Sequence, residues 1–298
     1  MVAASPSPSR AKAWFLAARP RTLAVGAAPV LVGSGLAWAH GAFDALPTLA
    51  ALMGALLLQL ASNLSNDAFD HLKGADTAQR LGPKRAAQMG WLSPRALALG
   101  TLVVLGAAAL IGLYLVLRGG VPILVLGLAG MVCAVAYTGG PMPLGYLGLG
   151  ELFVFIFFGP GAVVGTYLVQ AGQTSPDTWV ASIPVGLLAS AVLVVNNLRD
   201  RHTDRVAGKR TLAVRFGGPF ARRLYQSFLG LAFLTPALWV LAFGRPWGWL
   251  LPLLALPLGL KAAKTLATLD GEALNPWLGK TAGLTLVFSV LLAIGVNL

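Results

Sequence analysis

Nine apolar stretches, each long enough to form a membrane-spanning helix, dominate this chain. A helix needs about 20 apolar residues to cross about 30 Å of hydrocarbon. The stretches lie near residues 22–40, 45–65, 96–117, 121–137, 149–169, 179–198, 225–243, 247–264 and 281–298. The mean hydropathy of +0.76 agrees with them. The sequence therefore predicts an all-α integral membrane protein with nine transmembrane helices.

The basic residues lie almost entirely on one side of this nine-helix arrangement. Of the 22 Lys and Arg residues, all except Arg118 and Arg245 lie in the N-terminal segment or in loops on the same side. Cytoplasmic loops carry such an excess. The net charge of +12 is thus explained without a nucleic-acid partner. We expect a bacterial cell-membrane protein whose N-terminus and polar loops are cytoplasmic.

The segment before the first apolar stretch has a different composition. Residues 1–21 begin with alternating Ser and Pro and then place Trp14 and Phe15 near arginines, a composition that suits a tail followed by an interfacial segment. Residues 22–298 are predicted to form a single transmembrane domain. The first stretch also has features of a signal peptide, but we interpret it as a retained helix.

The second apolar stretch ends in a polar stripe. Asn63, Asn66, Asp67 and Asp70 fall at i, i+3, i+4 and i+7, which is one face of a helix. Polar groups at membrane depth usually face a cavity, a partner or a metal. A solvated helix end is the simpler alternative, but four such groups on one face favour a site.

The sixth apolar stretch ends in a second stripe. Asn197, Asp200 and Asp204 share a helical face. Asp200 and Asp204 follow Asp67 and Asp70 at nearly equal spacing, which indicates a weak internal duplication. Alternatively, each Asp simply pairs with a neighbouring Arg, as Asp200 would with Arg201 or Arg205.

The chemistry of these residues favours a hard cation bound with a phosphate compound. The acidic ends offer only oxygen ligands, which suit Mg²⁺, and Lys and Arg residues follow each of them. Cys133 is alone, and the three His residues are scattered, so a disulfide or zinc site is excluded. Metal-bridged diphosphate is the inferred ligand.

Several short motifs occur together along the chain. They are Ala18-Arg-Pro-Arg-Thr22, Asn66-Asp-x-x-Asp-x-x-x-Gly-x-Asp76, Arg80-Leu-Gly-Pro83, Tyr137-Thr-Gly-Gly-Pro141, Asn196-Asn-Leu-Arg-Asp-x-x-x-Asp204 and Gly208-Lys-Arg-Thr211. Together they resemble the UbiA superfamily of membrane prenyltransferases. The resemblance implies nine helices around a central cavity. It also implies Mg²⁺-dependent transfer of a polyprenyl group from an allylic diphosphate to an aromatic ring.

The form of the first acidic motif resembles one branch of this family. Gly74 stands where much of the superfamily has an acid, and Asp76 comes two positions later. This form is similar to the branch that prenylates 1,4-dihydroxy-2-naphthoate, with decarboxylation, to demethylmenaquinone. Alternative acceptors within the family are 4-hydroxybenzoate, homogentisate and chlorophyllide.

The resemblance also implies roles for particular residues. The catalytic set is Asn66, Asp67, Asp70, Asp200 and Asp204, and the metal-holding set is Asn66, Asp70, Asp76, Asp200 and Asp204. The candidates for binding the diphosphate and the acceptor are Arg21, Asn63, Lys73, Tyr137, Asn197 and Lys209. The expected partners are these two substrates and the bilayer, with no obligatory protein partner.

A transporter of divalent cations or anions is the alternative from another class. Its acids would line a path across the membrane. Both acidic stripes, however, are predicted on the same side. Toward the other side the sequence offers only Asp44, Arg118, Asp177 and Arg245, which we expect to be isolated.

Overall fold

The structure, a computed structural model, describes residues 8–76 and 80–298, with Arg21 described by its backbone alone. All regular secondary structure in these residues is helical. The α-helices are α1 Arg10–Ala18, α2 Pro20–Ala39, α3 Ala45–Leu72, α4 Pro94–Ala136, α5 Gly150–Ile156, α6 Ala162–Ala171, α7 Pro176–Val206, α8 Leu212–Phe243, α9 Leu256–Leu266 and α10 Asn275–Gly295. Short 3₁₀ or π turns lie at Leu144–Tyr146, Phe157–Gly161, Trp247–Ala255 and Gly271–Leu274.

The nine predicted spans are confirmed within the described residues. Eight continuous helical segments are long and apolar enough to cross a membrane. One of them, α4, has 43 residues, about twice the length that a single crossing needs. It is broken at Gly120, so that residues 94–119 and 121–136 form two spans.

Gly120 makes this break possible. Its φ of 67° and ψ of −154° lie in a region that is accessible essentially to glycine alone. The next residue but one, Pro122, lacks a backbone N–H and so favours the interruption. The chain reverses direction here without a loop.

Replacing Gly120 by alanine is therefore expected to destabilise the protein by about 1–3 kcal/mol. A Cβ would meet no atom closer than 3.9 Å, so the cost comes from the backbone conformation rather than from a clash. Thermal unfolding in detergent would measure it. The matched control is Gly106→Ala in the same helix, where a Cβ contacts nothing within 4 Å. Equal shifts for both variants would contradict this account.

The predicted fifth span is one membrane crossing made of two helices. A π turn, Phe157–Gly161, joins α5 to α6, and Pro160 within it interrupts the hydrogen-bond ladder. The composite segment Gly150–Ala171 has 22 residues, long enough to cross the bilayer. The turn places aromatic side chains of this span, Phe153 and Phe157 among them, against the central cavity.

The short helix α1 is amphipathic and packs against the transmembrane helices. Ala13 and Ala17 are buried while Phe15 is 63% exposed, and Trp14 lies in a cluster with Leu64 of α3. The location of this segment at the membrane interface stays a prediction. Helix α2 then starts directly at Pro20.

Helix α7 is the most enclosed of the spans. In its most apolar window 72% of the residues are buried, against 11% for α3 and 22% for α4. Small residues and Val or Leu fill it, and Leu188 and Leu198 are completely buried. The acidic end of α7 is thus fixed by packing on α2, α5, α8 and α10.

Candidate active site

A central cavity of about 510 Å³ is lined by residues from all six helices from α2 to α7. One end is lined by charged and amide side chains, and the rest by Ala, Gly, Leu, Val and Phe. Eight of the residues predicted for the site line it: Asn63, Asn66, Asp70, Tyr137, Asn197, Asp200, Asp204 and Lys209. The predicted central cavity and its polar end are therefore present.

The two acidic helices end in the same way. In α3, Gly74 has a φ of 69° and the N–H of Ala75 donates to the carbonyl of Asp70 at 2.8 Å. In α7, Gly208 has a φ of 75° and the N–H of Lys209 donates to the carbonyl of Asp204 at 2.9 Å. This is the left-handed glycine cap of many helices. It explains why a glycine, rather than an acid, follows Asp70 by four residues.

Asp70 forms ion pairs with two basic side chains. Its Oδ2 lies 2.9 Å from Nη1 of Arg85, and its Oδ1 lies 3.1 Å from Nζ of Lys209. The hydroxyl of Tyr146 also donates to Oδ1 at 3.1 Å. Burial and the neighbouring Asp70 raise the pKa of Tyr146, so this hydroxyl keeps its proton and remains a donor.

Lys209 links the two acidic helix ends. Its Nζ lies 3.1 Å from Oδ1 of Asp70 and 3.7 Å from Oδ1 of Asp204, and 5.0 Å from the centre of the Tyr146 ring. One ammonium thus stands between carboxylates that are over 130 residues apart in sequence. A small ligand at this position would contact both helices.

Asp200 forms an ion pair with the residue before it. Arg199 donates Nε to Oδ1 at 2.8 Å and Nη2 to Oδ2 at 2.6 Å. The pairing of Asp200 with Arg201 or Arg205 that the sequence allowed is wrong. Arg201 instead pairs with Asp270, and Arg205 donates to the carbonyl of Val214.

The amides and the tyrosine predicted for the site have defined positions. Oδ1 of Asn66 accepts a hydrogen bond from Thr138 at 2.9 Å, which aims the amide at the cavity. Asn197 donates to Oε1 of the buried Glu151 at 3.0 Å. Tyr137 follows directly after α4 and lines the cavity. Their roles toward substrate stay predictions.

Asn63 and Arg21 belong to the start of α2. Nδ2 of Asn63 donates to the carbonyl of Ala18 at 2.9 Å and to Thr22 Oγ1 at 3.2 Å. Asn63 therefore holds the junction between α1 and α2. The side chain of Arg21, predicted to contact the diphosphate, lies outside the described residues.

Asp76 and Lys73 are not among the residues that line the cavity. Asp76 pairs with Nη1 of Arg80 at 2.6 Å and with Nη1 of Arg85 at 3.2 Å. Lys73 donates to the carbonyl of Gly140 at 3.1 Å, and partial burial lowers its pKa. Metal binding by Asp76 and diphosphate binding by Lys73 stay predictions.

The carboxylate of Asp67 holds the loop that follows α3. Its Oδ2 accepts from the backbone N–H of Ala86 at 3.0 Å, and its Oδ1 from that of Ala87 at 3.2 Å. The side chain is 1% exposed. This contact positions the neighbouring Arg85 beneath Asp70.

Replacing Asp67 by alanine is expected to destabilise the protein by about 2–4 kcal/mol, since two buried backbone donors lose their acceptor. Thermal unfolding in detergent would measure the loss. The control is Asp44→Asn, which removes an ion pair with Arg118 whose side chains are 40% and 38% exposed and is expected to cost under about 1 kcal/mol. An unchanged unfolding temperature together with a lost kcat would instead favour the catalytic role predicted for Asp67.

Sequence reasoning missed three residues at the polar end. Arg85, 8% exposed, contacts Asp70, Asp76 and the carbonyl of Asn66. Arg199 holds Asp200, and Tyr146 lies between two lysines. Arg85 is one of the basic residues that follow the first acidic stripe. Arg199 stands inside the motif Asn196-Asn-Leu-Arg-Asp-x-x-x-Asp204 but was given no role, and Tyr146 carried no distinguishing signal.

The donor set at the polar end fits Mg²⁺ bound together with a phosphate compound. Within residues 8–76 and 80–298, no three carboxylate, His or Cys side chains converge as a preformed metal centre. Asn66, Asp70 and Asp204 nevertheless face one cavity with oxygen donors. Mg²⁺ commonly takes one or two carboxylates and completes its shell with water and substrate phosphate, so a complete protein cage is not required.

The four charged residues at the opposite end are paired, and the expectation that they are isolated is wrong. Nη2 of Arg118 lies 2.9 Å from Oδ2 of Asp44, and Nη2 of Arg245 lies 2.5 Å from Oδ1 of Asp177. His40 lies 3.5 Å from Asp177 through Nε2. These pairs join the loops at that end to one another, which is a structural role.

The fold and the site together define a multi-pass membrane protein with a charged pocket above an apolar cavity. The sequence profile of the UbiA prenyltransferase family matches residues 27–281. The chain belongs to this family, and it is a prenyltransferase.

Relatives of known function span nearly the whole chain. A 1,4-dihydroxy-2-naphthoate octaprenyltransferase of Escherichia coli K12 is 39% identical and covers 97% of this chain and 96% of its own. A protein of the same name from Mycobacterium tuberculosis H37Rv is also 39% identical, over 94% of this chain and 95% of its own.

Solved structures share the fold. The ligand-free UbiA homologue of Aeropyrum pernix K1 has a TM-score of 0.67 at 17% identity, over 91% of this chain and 96% of its own. A UbiA homologue of Archaeoglobus fulgidus bound to DMAPP and Mg²⁺ has a TM-score of 0.61 at 14% identity, over 94% of this chain and 99% of its own. The predicted fold class is confirmed.

Proposed function

We propose that this protein transfers a polyprenyl group from an allylic polyprenyl diphosphate to 1,4-dihydroxy-2-naphthoate. The C–O bond to the diphosphate breaks, with its electron pair leaving on the diphosphate. A C–C bond forms from the electron-rich ring to the allylic carbon, and the bond from the ring to the carboxylate breaks with its electron pair returning to the ring. Carbon dioxide leaves, and the product is the hydroquinone form of demethylmenaquinone. The observation that carries the proposal is the joining of both acidic helix ends by Lys209 above an apolar cavity.

Asn66, Asp70, Asp200 and Asp204 are the proposed Mg²⁺-holding residues. When bound there, the metal neutralises diphosphate charge and stabilises the leaving group. Lys209 is already positioned at the same place and donates to the departing oxygens. Fixed positive charge in a site that excludes water is most effective where negative charge develops.

The apolar part of the cavity is proposed to hold the isoprenoid chain. It extends from the polar end past Phe153 and Phe157 to Val169 near the opposite end. Its aliphatic and aromatic lining suits a hydrocarbon. Tyr137 lines the cavity, and its proposed role is to face the allylic cation or the acceptor ring.

Residues 22–298 are proposed to act as a single catalytic domain in the bacterial cell membrane, with the polar end cytoplasmic. The nearly complete restriction of Lys and Arg to this end supports that orientation. The segment before it, through α1, is proposed to lie at the membrane interface.

The test is an assay of the purified protein in detergent with labelled 1,4-dihydroxy-2-naphthoate and a long-chain allylic diphosphate. Conversion into a decarboxylated, lipid-extractable product that stops when EDTA removes Mg²⁺ is expected. Product formed only with 4-hydroxybenzoate or homogentisate would overturn the acceptor, and product without divalent metal would overturn the metal proposal.

A further inference from the structure

One partly buried arginine at the polar end has no role in the reaction described above. Arg19 lines the cavity, and its Nη2 is buried without a hydrogen-bond partner among the described residues. Burial and the neighbouring Arg85 and Arg80 lower the pKa of Arg19 to about 9. A buried guanidinium nitrogen without a hydrogen-bond partner raises the free energy of the folded protein. A ligand that accepts a hydrogen bond from this nitrogen would remove that cost.

The backbone of Arg19 is also unusual. It joins α1 to α2 with a φ of 51° and a ψ of 64°, a left-handed conformation that favours glycine. Eleven glycines in the described chain have positive φ, and Arg19 is the single other residue there that does. Glycine would adopt this backbone conformation at a lower energetic cost than arginine. A non-glycine residue in such a conformation is typical of functional positions.

The turn is held on both sides by the buried Asn63. Its Nδ2 donates to the carbonyl of Ala18 before Arg19 and to Thr22 Oγ1 after it, while Thr22 Oγ1 donates to the carbonyl of Arg19 at 2.9 Å. Asn63 is 4% exposed. These contacts hold the backbone from which the Arg19 side chain extends.

Arg19 has different charged neighbours from Lys209. Lys209 lies 3.1 Å from Oδ1 of Asp70 and 3.7 Å from Oδ1 of Asp204. The charges that act on Arg19 are those of Arg85, Arg80, Asp67 and Asp76. The oxygens of Asp67 and Asp76 are already engaged by backbone amides, Arg80 and Arg85.

We propose that Arg19 binds the carboxylate of the aromatic acceptor. A guanidinium suits a planar carboxylate, which it can contact through two parallel hydrogen bonds. Nearly two turns further along α2 the cavity wall is apolar, at Val25 and Gly26, and suits an aromatic ring. This inference rests on the proposed function, because that function supplies an acceptor with a carboxylate.

Binding of three probes to the purified protein in detergent tests the proposal. The probes are 1-hydroxy-2-naphthoate, 1-naphthol, which lacks the carboxylate, and magnesium pyrophosphate. Arg19→Gly is expected to raise the Kd for 1-hydroxy-2-naphthoate by about 10- to 100-fold and to leave the other two within about twofold. The exposed Arg10→Ala in α1 is the matched control.

Stability provides the second readout. Because glycine accepts the left-handed backbone, Arg19→Gly is expected to keep or raise the unfolding temperature, whereas a merely structural arginine would lower it. A weakened pyrophosphate affinity with unchanged 1-hydroxy-2-naphthoate affinity would overturn the assignment, as would no change in any Kd.

These measurements are independent of turnover. A wild-type protein that binds 1-hydroxy-2-naphthoate through Arg19 but prenylates no naphthoate would refute the proposed function alone. Naphthoate turnover that is unaffected in Arg19→Gly, with unchanged KM for the acceptor, would refute the role of Arg19 alone.

Discussion

Replacing Asp204 by asparagine is expected to lower kcat by about 10³-fold or more while leaving the protein folded. Asp204 is the acid of α7 that contacts Lys209. Among the described residues its carboxylate has one ion-pair contact, the 3.7 Å approach of that ammonium. Its loss removes a proposed Mg²⁺ ligand at the place where diphosphate charge develops, an effect of several kcal/mol on the transition state. Steady-state prenyl transfer at saturating Mg²⁺ would measure it.

Asp70→Asn is expected to reduce kcat at least as strongly, but with a loss of stability. Asp70 is the common partner of Arg85, Lys209 and Tyr146. Removing one partner of a buried ion pair typically costs about 3–5 kcal/mol. Asp204→Asn therefore isolates the chemical role, and comparison of the two variants separates it from the structural one.

The control for both variants is Asp44→Asn at the opposite end of the molecule. Asp44 pairs with Arg118, and the two side chains are 40% and 38% exposed, so the pair contributes at most about 1 kcal/mol. Its kcat should equal that of the wild-type protein. Asp204→Asn with more than a tenth of the wild-type kcat and the same Mg²⁺ requirement would contradict the metal assignment.

The membrane spans and the acidic helix ends could be predicted because both depend on patterns within a single stretch of sequence. Apolar length determines the spans, and the i, i+3, i+4 and i+7 spacing places the acids on one helical face. The glycine caps at Gly74 and Gly208 were equally visible in sequence, as a glycine four residues after an acid. Recognising them would have explained why no acid stands at position 74.

The pairing of charges could not be predicted in the same way. Arg85 reaches Asp70 through a loop whose position is set by Asp67 and two backbone amides. Arg199 reaches Asp200 rather than turning to the opposite face, because it also donates to Asn275 and Asn196. Which charged side chains pair depends on which helices pack together. The spacing of residues within one segment carries no information about that packing.

Replacing Lys209 by glutamine is expected to lower kcat by about 10²–10³-fold. Lys209 is the one cation found between Asp70 and Asp204 in the described part of the chain. It is held there because Gly208 turns the backbone at the end of α7. The departing diphosphate would lose a fixed positive charge in a water-poor site. Pre-steady-state measurement of diphosphate release would report the affected step.

Lys73→Gln is the matched control for this prediction. Both ammonium groups lie 5.0 Å from the centre of the Tyr146 ring. Lys73, however, is exposed and donates to the carbonyl of Gly140 rather than to a carboxylate. Its replacement is expected to lower kcat by less than about tenfold. Equal losses in the two variants would show that general positive charge, rather than the position of Lys209, supports the reaction.

Lys209 is expected to neutralise Asp70 and Asp204 in the free protein and to bind the diphosphate when substrate is present. Measurements of Mg²⁺ affinity can distinguish these two functions. Without substrate, the ammonium neutralises Asp70 and Asp204 and so competes with a metal ion for their oxygens. Lys209→Gln should therefore bind Mg²⁺ alone more tightly than the wild-type protein, yet bind magnesium pyrophosphate more weakly. Isothermal titration calorimetry with each ligand would measure both changes. Parallel weakening of both would mean that Lys209 only supports the folded site.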